Sequence, residues 1–193
     1  ACAGLIYSPE YRSEIAPALA ASGHKPEFIL STEGPSGMSG LMNGYSSALE
    51  AAPATSDSDC FWLYSSGSTG RPKGAVHRHR DIAATCVHYA VDTLGIAQDD
   101  ICFSAAKLFF AYGLGNAMTF PLWVGGTAVL SGQRPSPDMT FQIIEEHKPT
   151  IYFGVPTLYA AQLRALDEAH RDFSSVRCCV SAGEALPADI FRR

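Results

Sequence analysis

The sequence lacks an excess of either charge, and it lacks any long apolar run. It has 14 Lys and Arg residues against 19 Asp and Glu residues, a formal net charge of -5. A surface for nucleic acid or an anionic membrane needs clustered positive charge, and a membrane-spanning helix needs about 18 or more apolar residues in a row. The first residues also lack the basic start of a signal peptide. We therefore expect small-molecule partners, no nucleic acid, no membrane and a cytoplasmic location.

The spacing of metal-ligating residues is also missing. The six cysteines include no Cys-x-x-Cys pair and the six histidines no His-Glu-x-x-His pattern, so no residue is assigned to a metal. We interpret the cysteines as buried free thiols in a reducing compartment, and the histidines as structural or exposed. The cysteines are Cys2, Cys60, Cys86, Cys102, Cys178 and Cys179.

Apolar residues make up 47% of the 193 residues, which is enough for one core. Short apolar runs alternate with stretches of helical periodicity, and this alternation is typical of an α/β fold with mostly parallel sheet(s) flanked by helices. The predicted strands cover residues 2–7, 27–31, 60–64, 101–104, 127–130, 151–153 and 176–181. The predicted helices follow His79 as far as Gly95, cover residues 138–147 and 156–166, and begin again near Pro187.

Glycine, serine, proline and alanine concentrate between residues 32 and 58. This composition predicts a linker with at most one short helix, near residues 45–51. The chain begins at Ala1, inside a predicted strand, and ends at Arg193, inside a predicted helix, so we expect a piece of a longer protein. The unpaired strand edges of such a piece would favour a homodimer or a domain-swapped pair.

A run of hydroxyl-bearing residues and glycines follows the predicted strand at 60–64. Glycine lets the backbone approach a ligand closely, so that several N–H groups can converge on one anion. Serine and threonine hydroxyls add donors, and Lys73 adds a positive charge. Residues 64–74 run Tyr-Ser-Ser-Gly-Ser-Thr-Gly-Arg-Pro-Lys-Gly. We predict that this segment, the phosphate loop, binds phosphate.

The phosphate loop has two other interpretations. Ser/Gly stretches are common in surface turns, although the length of this run and its Pro72-Lys73-Gly74 ending argue against a simple turn. The P-loop of nucleotide triphosphatases requires Ser or Thr after the lysine and then a helix, whereas Gly74 and an apolar run follow Lys73 here. We therefore expect the loop to join two strands.

The phosphate loop resembles the signature loop of the adenylate-forming superfamily, which includes acyl-CoA synthetases, luciferases and peptide-synthetase adenylation domains. The match holds at every fixed position of the family pattern. The resemblance implies a loop that folds over the β- and γ-phosphates of ATP while a carboxylate attacks the α-phosphate. It assigns nucleotide binding to Ser65, Ser66, Gly67, Ser68, Thr69, Gly70, Lys73 and Gly74, and catalytic roles to Lys73 and Thr69.

A second informative segment, residues 107–116, follows the predicted strand at 101–104. By itself it is a strand end followed by a Gly-rich helix start, and ordinary core explains it as well. Its sequence, Lys-Leu-Phe-Phe-Ala-Tyr-Gly-Leu-Gly-Asn, resembles the benzoate-CoA ligases of the superfamily. Other members commonly carry a histidine where Phe110 stands, so this departure favours a compact site that meets an aromatic ring. The substrate-binding residues that the resemblance implies are Phe110, Ala111, Tyr112 and Gly113.

Two later segments, residues 153–157 and 181–187, resemble family segments that line the acyl and adenosine pockets. The resemblance assigns Ala182 to the substrate, and Gly183 and Glu184 to the nucleotide. Small residues at 182 and 183 would let a flat ring lie against the backbone, although a tight turn is the alternative.

The resemblance implies ATP-dependent activation of benzoate or a close relative to an acyl-adenylate, and then to the acyl-CoA, in aromatic degradation. ATP, Mg²⁺ and coenzyme A would take part. The family's Tyr-Gly-x-Thr-Glu motif with its magnesium-binding glutamate, the ribose-binding aspartate, the hinge and the C-terminal domain are not in this sequence. We therefore expect residues 1–193 to be a partial N-terminal adenylation domain that is inactive alone.

Two other functions are compatible with the sequence. One is an adenylation domain that loads an aryl or amino acid onto a carrier protein, and a comparison of the two acceptors would separate it from a CoA ligase. The other is a non-catalytic nucleotide-binding module, which nucleotide binding unaffected by Lys73→Ala and no response to aromatic acids would indicate.

Overall fold

Short strands with helices between them make up the described chain, so the predicted α/β class is confirmed. This computed structural model describes residues 2–66 and 72–193, apart from the side chain of Ser66. The chain divides into two units, Ala1–Pro53 and Ala54–Arg193. The division falls inside the Gly/Ser/Pro-rich segment.

The first unit is a small parallel β-α-β arrangement. Strand β1 is Gly4–Tyr7, helix α1 is Arg12–Ser22, and strand β2 is Phe28–Ser31, which pairs with β1. A short helix, α2, follows at Met38–Met42.

The Gly/Ser/Pro-rich segment holds one short helix, as many as the composition allows, but at Met38–Met42 and not near residues 45–51, which are irregular. The Ser46 hydroxyl accepts the N–H of Ala48 at 3.0 Å. Such a local side-chain bond offers the backbone an alternative to helical bonding, which is why serine disfavours helix interiors.

The second unit begins with an antiparallel hairpin. Strand β3 is Asp59–Ser66 and strand β4 is Pro72–Arg78, so the prediction that the phosphate loop joins two strands is confirmed. Helix α3, His79–Thr85, follows directly, and the Asp81 carboxylate accepts the N–H of Arg78 at 2.9 Å to cap its first turn. The helix continues as a wider π-helical stretch, Cys86–Val91, and Gly95 follows with φ 63°.

Four parallel strands form the main sheet of this unit. They are β5 (Ile101–Ser104), β6 (Thr127–Val129), β7 (Ile151–Gly154) and β8 (Cys178–Ser181), in the spatial order β6-β5-β7-β8. The connecting helices are α4 (Ala111–Leu114), a π-helical stretch (Gly115–Thr119), α5 (Phe120–Val124), α6 (Pro137–His147), α7 (Pro156–Leu166) and α8 (Ala188–Arg192).

The core lies on both faces of this sheet. Successive strand residues point to opposite faces, and the buried residues divide accordingly. On one face Cys102, Ile151 and Phe153 pack with residues of the helix after β4 and with Phe120. On the other face Phe103 and Tyr152 pack with residues of α6 and α7. Helices on both faces explain why these strands are nearly continuous apolar runs.

The cysteines are free thiols, but their expected burial is only partly correct. Cys86 and Cys102 are buried, whereas Cys2 and Cys179 are exposed. Cys179 is exposed because it lies in β8 at the edge of the sheet, and Cys2 because it precedes β1. Among the described helices, none combines the length and the apolar character that crossing a membrane requires.

Candidate functional site

The segments that the sequence singled out meet at one edge of the main sheet. Because β5, β6, β7 and β8 are parallel, their carboxyl ends lie at the same edge. Residues 107–113 follow β5, residues 155–157 follow β7, and residues 182–184 follow β8. Ligands of open α/β sheets bind outside the carboxyl ends of the strands. We call this region the carboxyl edge.

Tyr112 links these segments directly. Its hydroxyl lies 3.1 Å from the carbonyl oxygen of Gly154 and 3.0 Å from that of Val180, so it bridges the ends of β7 and β8. Its ring makes an edge-to-face contact with Phe153, with centroids 6.3 Å apart. Burial raises the pKa of the Tyr112 phenol, and the hydroxyl stays a neutral donor to the backbone. The ring is therefore the part of Tyr112 that can serve as a wall for a ligand.

Phe110 and Ala111 lie exposed at the start of α4. Phe110 is 57% exposed, and its ring packs against that of Phe109 with centroids 4.4 Å apart. Its N–H donates to the carbonyl of Lys107 at 3.0 Å, which forms the turn into α4. An exposed aromatic pair at the carboxyl edge gives this region an apolar surface that a flat ring can contact.

Gly113 is buried where α4 passes close to the preceding turn. A Cβ atom at this position would collide with the carbonyl oxygen of Lys107, a backbone atom that cannot move away as a side chain could. The close approach of α4 to residues 106–107 therefore requires glycine. Gly113 shapes the segment and offers no side chain to a substrate.

Lys107 was not predicted as a site residue, but the structure gives it a defined position. Its ammonium group donates to the carbonyl of Ser131 at 2.6 Å and also to that of Gln133. These bonds tie the segment before α4 to the loop that follows β6. The one signal in the sequence was a lysine directly before an aromatic run at a strand end.

The turn after β8 presents its backbone to solvent. Gly183 has φ 94°, a conformation that residues with a Cβ rarely adopt. Ala182 is half-buried, and Gly183 and Glu184 are exposed. The tight turn and the open backbone occur together, so the two interpretations of this segment do not exclude each other.

The ends of the phosphate loop lie in the hairpin. The register places Ser65 opposite Lys73 and Tyr64 opposite Gly74. Directly opposed residues share a face of the hairpin, so the Ser65 hydroxyl and the Lys73 ammonium lie on one side. Both residues are exposed. The predicted nucleotide contacts of the Ser66 side chain and of Gly67, Ser68, Thr69 and Gly70 lie outside the described residues.

The structure brings together residues 110–113 and the ends of β7 and β8, but not all of the predicted site. Within residues 2–66 and 72–193, no hydrogen bond or ion pair joins the hairpin to the carboxyl edge. The roles of these residues stay predictions.

An ionic network around a buried carboxylate, also not predicted, lies at the opposite edge of the sheet. Asp100, which precedes β5, is 5% exposed and accepts two bonds from the Arg177 guanidinium, at 2.9 and 2.6 Å. It also accepts the Thr150 hydroxyl at 2.6 Å and the N–H of Ala97 at 2.9 Å. The Arg177 bonds lower the pKa of the Asp100 carboxyl to about 2. The network ties together the amino ends of β5, β7 and β8.

The described residues provide little for a magnesium ion. A Mg²⁺ site uses oxygen ligands, of which one or two are carboxylates. No group of three or more His, Cys, Asp and Glu residues in the described ranges could hold a metal. Glu184 stands alone at the carboxyl edge, so these residues do not by themselves fit a magnesium site.

The fold is that of adenylate-forming enzymes. Residues 8–193 match the family described as AMP-binding enzyme, and the chain belongs to this family. It is similar to a benzoate–CoA ligase of Thauera aromatica, with 52% identity over 160 residues, 83% of this chain and 30% of that protein. A 4-hydroxybenzoate–CoA/benzoate–CoA ligase of Rhodopseudomonas palustris is 49% identical over 144 residues, 72% of this chain and 26% of that protein.

The chain also superposes on a solved structure. The anthranilate CoA ligase AuaEII, crystallised in complex with anthranoyl-AMP, superposes with a TM-score of 0.89 at 35% identity. The match covers 98% of this chain and 37% of that one. The chain spans less than a third of the length of each of the two curated relatives described above.

Proposed function

We propose that the protein activates an aromatic carboxylic acid, benzoate or a close relative, with ATP and transfers the acyl group to coenzyme A. The observation that supports the proposal is the bridge from Tyr112 to Gly154 and Val180, which holds residues 107–113 against the strand ends that lead into the other segments predicted to line the pocket. Both curated relatives are named as ligases of benzoate or hydroxybenzoate, and the similar structure holds an aromatic acyl-adenylate.

In the first half-reaction, a carboxylate oxygen of the acid attacks the α-phosphorus of ATP. The bond between the α-phosphorus and the bridging oxygen breaks, and pyrophosphate leaves with that oxygen. Lys73 and Ser65 would hold the leaving phosphates together with the backbone and hydroxyl groups of residues 66–70, because donors aimed at developing charge stabilise it. The rings of Phe110 and Tyr112, with Ala111, would enclose the aromatic acid, and Gly113 would let their segment pack closely enough to do so.

The nucleotide would lie against the turn after β8. The exposed backbone at Gly183 lets a flat base approach closely, and Ala182 is small enough to let the acyl ring pass beside it. Glu184 would accept a hydrogen bond from the nucleotide. Mg²⁺ would neutralise phosphate charge when bound with ATP, and we assign no residue of the described chain to it.

In the second half-reaction, the thiolate of coenzyme A attacks the acyl carbonyl carbon. The bond from that carbon to the phosphate oxygen breaks, and AMP leaves. Transfer to a carrier protein instead would use the same first half-reaction, so the acceptor is decided by experiment.

The test is benzoate-dependent exchange of pyrophosphate into ATP by the purified full-length protein. We expect exchange with benzoate but not with a long-chain fatty acid, and about a hundredfold lower exchange in Lys73→Ala. Lys25→Ala removes an exposed lysine outside the hairpin and should leave the exchange unchanged.

Several outcomes would contradict parts of the proposal. Exchange that does not depend on an aromatic acid would overturn the substrate assignment, and full activity of Lys73→Ala would overturn the phosphate loop. Acyl transfer to a carrier but not to coenzyme A would replace the acceptor. Thioester formation by residues 1–193 alone would overturn the expected inactivity of this chain.

The cytoplasmic location and the homodimer or domain-swapped pair stay predictions. Sedimentation of the purified protein over a range of concentrations measures the second, and a single monomeric species at all concentrations would contradict it.

A further inference from the structure

A second tyrosine meets Tyr112 at the ends of β7 and β8. Tyr159 lies in the first turn of α7, and its side chain returns to the strand that precedes the helix. Its hydroxyl accepts the N–H of Gly154 at 3.1 Å and donates to the carbonyl of Val180 at 2.9 Å. Tyr112 bonds the carbonyls of these same two residues.

The two tyrosines therefore bond the backbone of the same two residues. The Tyr159 hydroxyl accepts the N–H of Gly154, and the Tyr112 hydroxyl donates to the carbonyl of Gly154. Both hydroxyls reach the Val180 oxygen, which has two lone pairs and can accept both. Any shift of Gly154 or Val180 that follows loss of the Tyr159 hydroxyl would move both acceptors of Tyr112.

The packing around Tyr159 leaves little freedom for another arrangement. A Cβ at residue 154 would lie 2.7 Å from the Cζ atom of the Tyr159 ring, so the ring fills the space that glycine leaves open. The ring also makes an edge-to-face contact with Tyr152, with centroids 5.5 Å apart. Burial raises the pKa of the Tyr159 phenol, which keeps the hydroxyl neutral and able to donate and accept at once.

We infer that Tyr159 is a positioning residue for aromatic-acid binding: its hydroxyl sets the spacing of Gly154 and Val180 and, through them, the position of the Tyr112 ring. This inference rests on the proposed function. Tyr159 acts through Tyr112 and needs no contact with the acid itself. No hydrogen bond of this network reaches the described strands of the hairpin, so the effect should be specific to the acid.

Tyr152, which lies in β7 two residues before Gly154, provides a matched control. It is 1% exposed, and its hydroxyl bonds the Gln162 side chain at 3.3 Å, away from Gly154 and Val180. Tyr159→Phe and Tyr152→Phe each remove one tyrosine hydroxyl from the same side of the sheet. A purely structural role predicts similar effects of the two substitutions on activity.

The experiment measures KM for benzoate, KM for ATP and kcat in the full-length protein. We expect Tyr159→Phe to raise KM for benzoate about five- to tenfold, the scale of one lost hydrogen bond, with KM for ATP within about twofold. Tyr112→Phe should show the same acid-specific shift. In Tyr152→Phe both KM values should stay within about twofold. The double variant Tyr112→Phe/Tyr159→Phe should be no worse than the more impaired single variant, because both act on one element.

Each other outcome overturns the inference. An unchanged KM for benzoate in Tyr159→Phe, an equal shift in Tyr152→Phe, or additive effects in the double variant would show that Tyr159 does not act through Tyr112. If Tyr159→Phe does not fold, as circular dichroism would show, an unchanged KM for benzoate in Tyr112→Phe refutes the network. Absence of benzoate-dependent exchange in the unsubstituted protein would overturn the proposed function, and the inference with it.

Discussion

The two edges of the main sheet are held by different chemistry. At the amino edge, Asp100 and Arg177 form a bidentate ion pair that Thr150 completes. At the carboxyl edge, neutral tyrosine hydroxyls bond backbone carbonyls, and glycines and exposed aromatic rings lie beside them. The buried carboxylate at the first edge is partnered within the chain, whereas the second edge leaves apolar and backbone surface open. Changes at the amino edge should therefore alter stability, and changes at the carboxyl edge should alter ligand binding.

The largest expected effect comes from breaking the amino-edge network. Asp100→Ala should lower the free energy of unfolding by about 3 kcal/mol, since it removes the charged acceptor that Arg177, Thr150 and the N–H of Ala97 share. Urea denaturation measures this loss, and KM for benzoate should not change. The control Asp99→Ala removes an exposed neighbour and should cost less than about 0.5 kcal/mol. A raised KM for benzoate in Asp100→Ala would contradict the division between the two edges.

Acid should weaken the amino edge in a defined pH range. The pKa of Asp100 is about 2 in the folded chain, below its ordinary value of 3.8. A lowered folded pKa means that the stabilisation is present above pH 4 and is lost as the pH falls from about 4 to about 2. The loss should be about 2 kcal/mol and should disappear in Asp100→Asn, when thermal unfolding of the two proteins is compared across this range. If the stability of the two proteins falls equally with pH over this range, Asp100 is not the group responsible.

At the carboxyl edge, Gly183→Ala should combine a moderate loss of stability with weaker nucleotide binding. The φ of 94° at Gly183 disfavours a Cβ, so we expect a cost of about 1–2 kcal/mol or a local rearrangement. Calorimetric titration with a benzoyl-adenylate mimic should show a weaker Kd. Gly132→Ala is the control, because its φ lies outside this region and no atom lies within 4 Å of an added Cβ. Equal affinity of both variants for the mimic would show that the turn at Gly183 does not contact the nucleotide.

The smallest expected effect is that of Lys107→Met. The substitution keeps the length of the side chain but removes the bonds to Ser131 and Gln133, at a cost of about 1 kcal/mol. KM for benzoate should rise about two- to threefold, because residues 110–113 lose one anchor. Lys25→Met, at an exposed position of the first unit, should change neither quantity. A loss of stability without any change in KM would place Lys107 with the residues that only support the fold.

The sequence predicted the main sheet well because its strands are buried on both faces. Runs such as Ile101–Ser104 and Ile151–Gly154 are apolar and bounded by turns, and helix α7 has the predicted bounds because proline marks its first turn. Helix α1 was not predicted. None of its residues is buried and Pro17 interrupts its pattern, so apolar periodicity gave no signal.

The site could be predicted only where its residues are neighbours in the sequence. The phosphate loop and residues 107–116 are continuous segments with a recognisable pattern. Asp100 and Arg177 are 77 positions apart, and Tyr159 and Val180 are 21 apart. These pairs form only when the strands align, so no local pattern could indicate them. Nothing in the sequence distinguishes Tyr159 from the other aromatic residues, because only the fold brings its hydroxyl to the N–H of Gly154.

The π-helical stretch Gly115–Thr119, between α4 and α5, has a consequence for how related sequences can vary in length. A turn closed by an i to i+5 bond contains one residue more than an α-helical turn. The helical segment can therefore lose one residue here by closing into a regular α-helix. The residues before it, which face the carboxyl edge, and α5 after it could then keep their own packing while the spacing between them changes by one. This stretch is where we expect a single-residue deletion to be tolerated.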